Sequence, residues 1–173
     1  EYASEFRYRF PIINDGDVVI VISQSGETAD TLEATRIAKK KGAIVLGIVN
    51  AVGSSIARLT DEGCYLRAGP EIGVASTKAF TSQLMVLLMI CIKAAFLKKN
   101  ISNRKYKKMI LHLLKIPSQI SEVLKLNNEI KKISKKIFRK NHALFLGRGN
   151  NFPVALEGAL KLKEISYIHA EGY

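Results

Sequence analysis

Four residues with hydrogen-bonding side chains follow an apolar run and are the first candidates for chemistry: Ser23, Gln24, Ser25 and Thr28. We expect a helix to start near Glu27, where free backbone N–H groups and the helix dipole favour an anion. This pattern predicts a phosphate pocket. It has neither the lysine of a P-loop nor the glycine spacing of a dinucleotide site, so a small phosphorylated metabolite fits better than a nucleotide. The alternative that these residues leave open is an ordinary helix start capped by Ser25.

A second set of charged residues lies in a segment that is otherwise apolar. With Glu157 taken as zero and about 100° per residue, Lys161 lies at about +40° and Glu164 at about −20°, so the three share one narrow stripe. Apolar residues fill most of the remaining circumference of residues 154–166, which predicts a largely buried helix. One interpretation is internal ion pairing, because buried charges must be paired. The other is that one carboxylate beside the lysine is a tuned general base.

A third candidate is the loop from Ala68 to Thr77, which is long and rich in small residues. Ser76 or Thr77 can be the N-cap of a helix that we expect from Lys78 to about Leu97. Two hydroxyl-bearing helix starts could then face one ligand. A plain cap behind a glycine-containing loop is the simpler interpretation of this segment taken alone.

Alternating strands and helices must position these residues. Runs of Val and Ile without polar alternation predict strands buried on both faces, as in a parallel sheet. The order β, α, β, α, β predicts a doubly wound parallel sheet of the α/β class. At the amino end, alternate aromatic residues at Phe6, Tyr8 and Phe10 predict a short strand. The expected segments are strands at 18–22, 44–49, 64–66 and 143–147, and helices at 31–41, 56–59, 100–114 and 119–140.

Positive charge is concentrated in one part of the 173-residue chain. Residues 98–140 contain fourteen Lys or Arg against two Glu, which accounts for the whole net charge of +12. Apolar residues recur there near helical spacing, so we expect a solvated helix face rather than a nucleic-acid arm. The segment also lacks the interleaved aromatic residues or modules of nucleic-acid-binding proteins.

The remaining composition argues against several protein classes. Cys64 and Cys91 lack metal-ligand spacing and are expected to be buried thiols in a reducing compartment, which predicts a cytoplasmic location. The most apolar stretch, Leu84 to Ile92, is too short to span a membrane and ends at Lys93. No signal-peptide pattern opens the sequence. We therefore expect no metal, no membrane and no nucleic-acid partner.

Four motifs resemble, in this order, the isomerase half of glucosamine-6-phosphate synthase: Ala3–Arg9, Ser23–Asp30, Glu71–Phe80 and Ala155–Tyr167. The resemblance implies a pair of sugar-isomerase (SIS) domains, each a parallel sheet flanked by helices. It also implies conversion of fructose 6-phosphate and ammonia to glucosamine 6-phosphate, without metal or organic cofactor, by an enzyme that dimerises.

The resemblance assigns roles to individual residues of this sequence. Glu164 would be the base that moves a proton between C1 and C2 of the open-chain fructosimine, with Lys161 beside it. The residues expected to bind substrate are Ser23, Gln24, Ser25 and Thr28 for the phosphate, and Val74 and Ser76 for the sugar.

Several family features have no counterpart in this sequence. They are the glutaminase domain, a Gly-Thr-Ser loop after the first strand, a ring-opening histidine and a Schiff-base lysine. His169 is not that histidine, and His112 and His142 match nothing catalytic. We therefore expect a fragment that is inactive alone: a first SIS domain without its initial strand at 1–99, a basic helical linker at 100–140, and the start of a second SIS domain at 141–173. The alternative is a regulatory SIS module that binds a sugar phosphate without turning it over.

Overall fold

The computed structural model describes residues 1–173, which form two compact units, Glu1–Cys91 and Ile92–Tyr173. The first unit contains α1 (Ala3–Phe6), β1 (Val18–Ser23), α2 (Ala29–Lys40), β2 (Ile44–Val49), α3 (Ser55–Leu59), β3 (Glu62–Tyr65) and most of α4 (Lys78–Leu97). The second contains α5 (Asn103–Leu113), α6 (Ile116–Leu124), α7 (Asn127–Ile137), β4 (His142–Phe145), a short 3-10 helix (Gly149–Asn151), α8 (Phe152–Ser166) and β5 (His169–Gly172). The three-part division expected from the sequence stays a prediction.

The first unit is built on a parallel sheet with the strand order β1, β2, β3. Ser23 is the partner of Val49, and Val49 is the partner of Tyr65, so the carboxyl ends of the three strands meet at one edge. In open parallel sheets this is the edge at which ligands bind. The predicted α/β class with a parallel sheet is confirmed.

One face of this sheet carries the core of the first unit. Because side chains alternate along a strand, β1 turns Val19 and Val21 toward α2. The opposite face remains partly exposed, with Ile20 at 40% and Ile22 at 39%, so the prediction that β1 is buried on both faces is wrong for this chain. The core residues are Val21, Ala38, Ala43, Val45, Val49 and Ile56.

The amino end is helical, and the predicted strand there is wrong. The N–H groups of Glu5 and Phe6 donate to the carbonyl of Tyr2, which closes the turn of α1. Arg7 pairs with Asp30 on α2, with 2.8 Å between Nη1 and Oδ1. The aromatic alternation misled because α1 packs against α2 instead of joining the sheet edge.

The second unit has a smaller parallel sheet, in which His142 of β4 is the partner of His169 of β5. Helix α8 packs closely on it, since a Cβ at Gly158 would lie 2.9 Å from the Phe145 ring. Only Ala155 and Ala159 of α8 are buried, so the prediction of a largely buried helix is wrong. A sheet of two strands covers one stripe of the helix and leaves the remaining apolar surface exposed.

The basic segment forms three helices where two were predicted. The predicted break at Pro117 is present, because α5 ends at Leu113 and Pro117 lies in the first turn of α6, where its missing N–H costs nothing. A second break follows between α6 and α7. Every residue from Pro117 to Lys140 is exposed, including the apolar ones, which places the lysines on a solvated surface.

Two further predictions are corrected by the structure. Cys64 and Cys91 are exposed free thiols rather than buried ones. Residues 84–92 lie inside the 20-residue apolar helix α4, so a length argument no longer excludes a membrane span. Length and composition alone are weak evidence for a membrane span, because the core helix of a soluble protein can be as long and as apolar.

Candidate functional site

The loop after β1, residues 23–28 (the first loop), is organised by its own hydroxyl groups. The Gly26 N–H donates to Ser23 Oγ over 2.9 Å, and the Glu27 N–H donates to Ser25 Oγ over 3.2 Å. Ser25 therefore shapes the loop and does not cap a helix. The N-cap of α2 is Thr28, whose hydroxyl makes no capping bond, and the helix begins at Ala29 rather than near Glu27.

The first loop is fastened to the start of α3. Glu27 Oε1 accepts the Ser55 N–H over 2.7 Å, and the Gly26 carbonyl accepts the Ile56 N–H over 2.9 Å. The bond from the Ser55 backbone lowers the pKa of Glu27 below its usual value. Gly26 has a left-handed φ of +68°, and a Cβ there would collide with the Ser54 side chain. The approach of this loop to α3 therefore requires glycine.

The segment from Ala68 to Thr77 (the second loop) is held by an acidic side chain. Glu71 Oε1 accepts the Ala79 N–H over 2.7 Å and the Thr77 N–H over 3.3 Å, at the start of α4. Helix α4 has the predicted bounds, so Thr77 stands directly before it in the predicted N-cap position, but the side-chain acceptor for the Ala79 N–H is Glu71. The hydrogen bond from the Ala79 N–H lowers the pKa of Glu71.

The two predicted sugar contacts on the second loop have different surroundings. Val74 is almost fully exposed, at 96%. Ser76 Oγ is shielded from solvent and has no hydrogen-bond partner. An unpartnered buried hydroxyl lowers stability. A rearrangement of the second loop that gave the Ser76 hydroxyl a hydrogen-bond partner would therefore be favourable.

A cavity of about 510 Å³ lies between the two loops at the carboxyl edge of the sheet. Gln24 is the only predicted substrate-binding residue that lines it; the others do not: Ser23, Ser25, Thr28, Val74 and Ser76. Gln24 lines it from the first loop and Glu71 from the second. Asn50, directly after β2, and Arg67, directly before the second loop, line it between them. Arg67 brings a positive charge to the cavity and has a left-handed φ of 52°, which is uncommon for a residue with a side chain. Neither Asn50 nor Arg67 is among the site residues predicted from the sequence, although the position of Asn50 directly after a parallel strand was a usable signal.

In the second unit, Lys161 lies between two carboxylates. Its Nζ is 2.7 Å from Glu164 Oε2 and 3.4 Å from Glu157 Oε1, as the predicted stripe requires. Desolvation lowers the pKa of Lys161, but the hydrogen bond to Glu164 and the charges of both carboxylates outweigh it, so the pKa is raised. The lysine therefore stays protonated beside Glu164. This contact supports the ion-pair interpretation and is also compatible with Glu164 as a base.

The histidines and acidic residues offer no metal centre. No group of three or more His, Cys, Asp or Glu side chains is placed to hold an ion. His142 and His169 do meet, with 3.3 Å between their Nδ1 atoms, and His169 also contacts Glu171.

Comparisons with known proteins agree with the geometry of the two units. A family model described as SIS domain matches residues 1–93 and 136–173. The chain is 58% identical over 173 residues to glutamine–fructose-6-phosphate aminotransferase [isomerizing] of Bacteroides thetaiotaomicron, and it covers 28% of that relative. It is 60% identical over 173 residues to the protein of the same name from Chlorobaculum tepidum, again covering 28% of it. The chain thus spans little more than a quarter of these curated relatives.

Solved structures give the same result. The C-terminal domain of glucosamine-fructose-6-phosphate aminotransferase from Francisella tularensis superposes with a TM-score of 0.96 at 48% identity, covering 100% of this chain and 49% of that one. Glucosamine-6-phosphate deaminase from Thermotoga maritima superposes with a TM-score of 0.69 at 26% identity, covering 99% of this chain and 50% of that one.

Proposed function

The chain belongs to the SIS domain family, and from this premise we propose that it forms the fructose-6-phosphate-binding and isomerising part of a glutamine-dependent aminotransferase. The observation that carries the proposal is the meeting of the first and second loops at the carboxyl edge of a parallel sheet, where Asn50 bonds to the second loop and Gln24 of the first loop lines a cavity. The identity to aminotransferases along the whole chain supports the choice of substrate.

The first loop is suited to a phosphate group. Ser25, Thr28 and Gln24 offer neutral donors beside the start of α2, whose dipole favours an anion. Ser23 is 6% exposed, and its hydroxyl already accepts the Gly26 N–H, so we propose that it holds the loop in the binding conformation. On the second loop, Val74 and Ser76 are the proposed sugar contacts.

The chemical step is assigned to Glu164. Its carboxylate takes a proton from C1 of the open-chain fructosimine and returns a proton to C2, so the imine becomes the amino aldehyde with no change in overall oxidation state. Lys161 Nζ lies 2.7 Å from Glu164 Oε2, and this contact fixes the position of the carboxylate on α8. Glu157 also pairs with Lys161, and this second ion pair weakens the attraction between Lys161 and Glu164.

The proposal also includes the oligomeric state, the cellular location and the role of the basic helices. We expect a homodimer on the family resemblance. The outer face of β1 and much of α8 present apolar side chains that further protein must cover, which the rest of a longer chain can also supply. Exposed free thiols favour a reducing compartment, and we expect the cytoplasm. The exposed lysines of α5 to α7 belong to a helical linker in this proposal.

Titration of fructose 6-phosphate into the full chain, followed by the backbone amide shifts of the first loop, tests the binding part. Saturable shifts at Gly26 and Glu27 are expected, and their absence would contradict the proposal. The catalytic part is tested in a full-length enzyme that carries this chain, by exchange of the C1 proton with deuterated solvent. Binding without any exchange would favour a regulatory SIS module instead.

A further inference from the structure

Asn50 is the point at which the two loops of the first unit meet. Its side chain is buried, with the residue 8% exposed. Its backbone N–H donates to the carbonyl of Ser23 over 3.3 Å, at the base of the first loop. Its side chain bonds to the other loop: Nδ2 donates to the Gly69 carbonyl over 2.8 Å, and Oδ1 accepts the Ala68 N–H over 2.9 Å.

Asparagine suits this position for a chemical reason. The side-chain amide donates and accepts at once, and both of its hydrogen bonds go to backbone groups of the second loop. An aspartate could accept the Ala68 N–H but could not donate to Gly69. An alanine would leave two backbone groups without their partner, and unpaired buried backbone groups are costly.

The other end of the second loop is fixed separately. Glu71 binds the Thr77 and Ala79 N–H groups at the start of α4. Asn50 thus fixes where the loop begins and Glu71 where it ends. Val74, which lies between these two anchors, is fully open to solvent.

We propose that Asn50 is a positioning residue that sets the spacing between the phosphate-binding loop and the sugar-binding loop. This inference rests on the proposed function, and it adds a determinant of specificity. Inorganic phosphate would contact the first loop alone. A sugar phosphate must contact both loops together, so its affinity depends on the spacing and that of phosphate does not.

The test compares two ligands in the full chain, inorganic phosphate and fructose 6-phosphate, with binding followed by amide shifts. Asn50→Ala should weaken fructose 6-phosphate by about ten-fold or more, the scale of lost buried hydrogen bonds, while phosphate stays within about two-fold. Asn50→Ser, which adds no charge that would repel either anionic ligand, has one hydroxyl in place of the amide and should show the same selective loss. Asn14→Ala, at an exposed turn of the same unit, should change neither affinity.

Each outcome bears on one of the two proposals. Equal loss of both ligands, or of neither, in an Asn50→Ser variant that keeps the parent melting temperature would overturn the positioning role. If Asn50→Ala does not fold, Asn50→Ser alone decides, because it is neutral and its hydroxyl cannot replace both side-chain hydrogen bonds. A parent chain that binds phosphate but not fructose 6-phosphate would instead overturn the proposed function.

Discussion

Replacing Gly26 by alanine tests whether the first loop needs a residue without a side chain. Its φ of +68° costs an L residue about 1 to 2 kcal/mol. An alanine Cβ would also collide with the Ser54 side chain and lie 2.8 Å from Val49 Cγ1. Such overpacking adds about 1 to 3 kcal/mol. We therefore expect Gly26→Ala to lower the free energy of unfolding by about 2 to 5 kcal/mol, measured by urea denaturation.

Gly53 provides the matched control for this prediction. It has nearly the same backbone angle, φ +71°, but no atom lies within 4 Å of its Cβ position. Gly53→Ala should therefore cost only the backbone term of about 1 to 2 kcal/mol. Removing the obstructing side chain, by Ser54→Gly in the Gly26→Ala background, should restore part of the stability. Equal losses in the two single variants, with no recovery in the double variant, would refute the collision argument.

Three further predictions concern ligand binding, catalysis and acid stability. Ser25→Ala and Thr28→Val should each weaken fructose 6-phosphate binding by about 1 to 3 kcal/mol, and unchanged titration curves in both would remove them from the site. Glu164→Gln in a full-length enzyme should lower C1 proton exchange by about 10² or more with nearly intact substrate affinity. A variant that melts early yet exchanges at the parent rate would make Glu164 only an ion-pair partner of Lys161. Because the pKa of Glu71 is lowered from 4.5, its stabilising effect is complete above that pH and is lost as the pH falls through the folded-state pKa. Urea unfolding from pH 7 downward should therefore show a shallower decline for Glu71→Gln, and parallel curves would contradict this.

Residue patterns alone were sufficient to predict the fold class and the family. Runs of Val and Ile specify β1 and β2 because extended backbone suits β-branched side chains, and apolar helical spacing specifies α2 and α4. These patterns depend only on neighbouring residues, so they can be interpreted without knowing how the elements pack. The motif residues around Ser23, Glu71 and Glu164 indicated the SIS family, which the family match confirmed. The roles of the individual site residues stay predictions.

Which side chains bond to which backbone groups depends on how distant segments pack together. Glu71 accepts N–H groups six and eight residues further along the chain, at the start of α4. Asn50 bonds to backbone groups 18 and 19 residues further along, and Glu27 accepts an N–H 28 residues further along. N-cap preferences consider only the residues next to the start of a helix, so they predicted Ser76 or Thr77 as the acceptor and could not indicate Glu71. Which acceptor reaches the free N–H groups depends on how the loop folds back, and that is fixed by packing.

The sequence was also insufficient to predict which apolar surfaces are buried. An apolar run shows that a surface favours burial, but not whether another element of the same chain covers it. The face of β1 with Ile20 and Ile22 stays partly open because α2 and α3 both pack against the other side of the sheet. Helix α8 stays half-open because two strands cover only the stripe of Ala155 and Ala159. Local patterns set backbone conformation, whereas the arrangement of layers sets exposure.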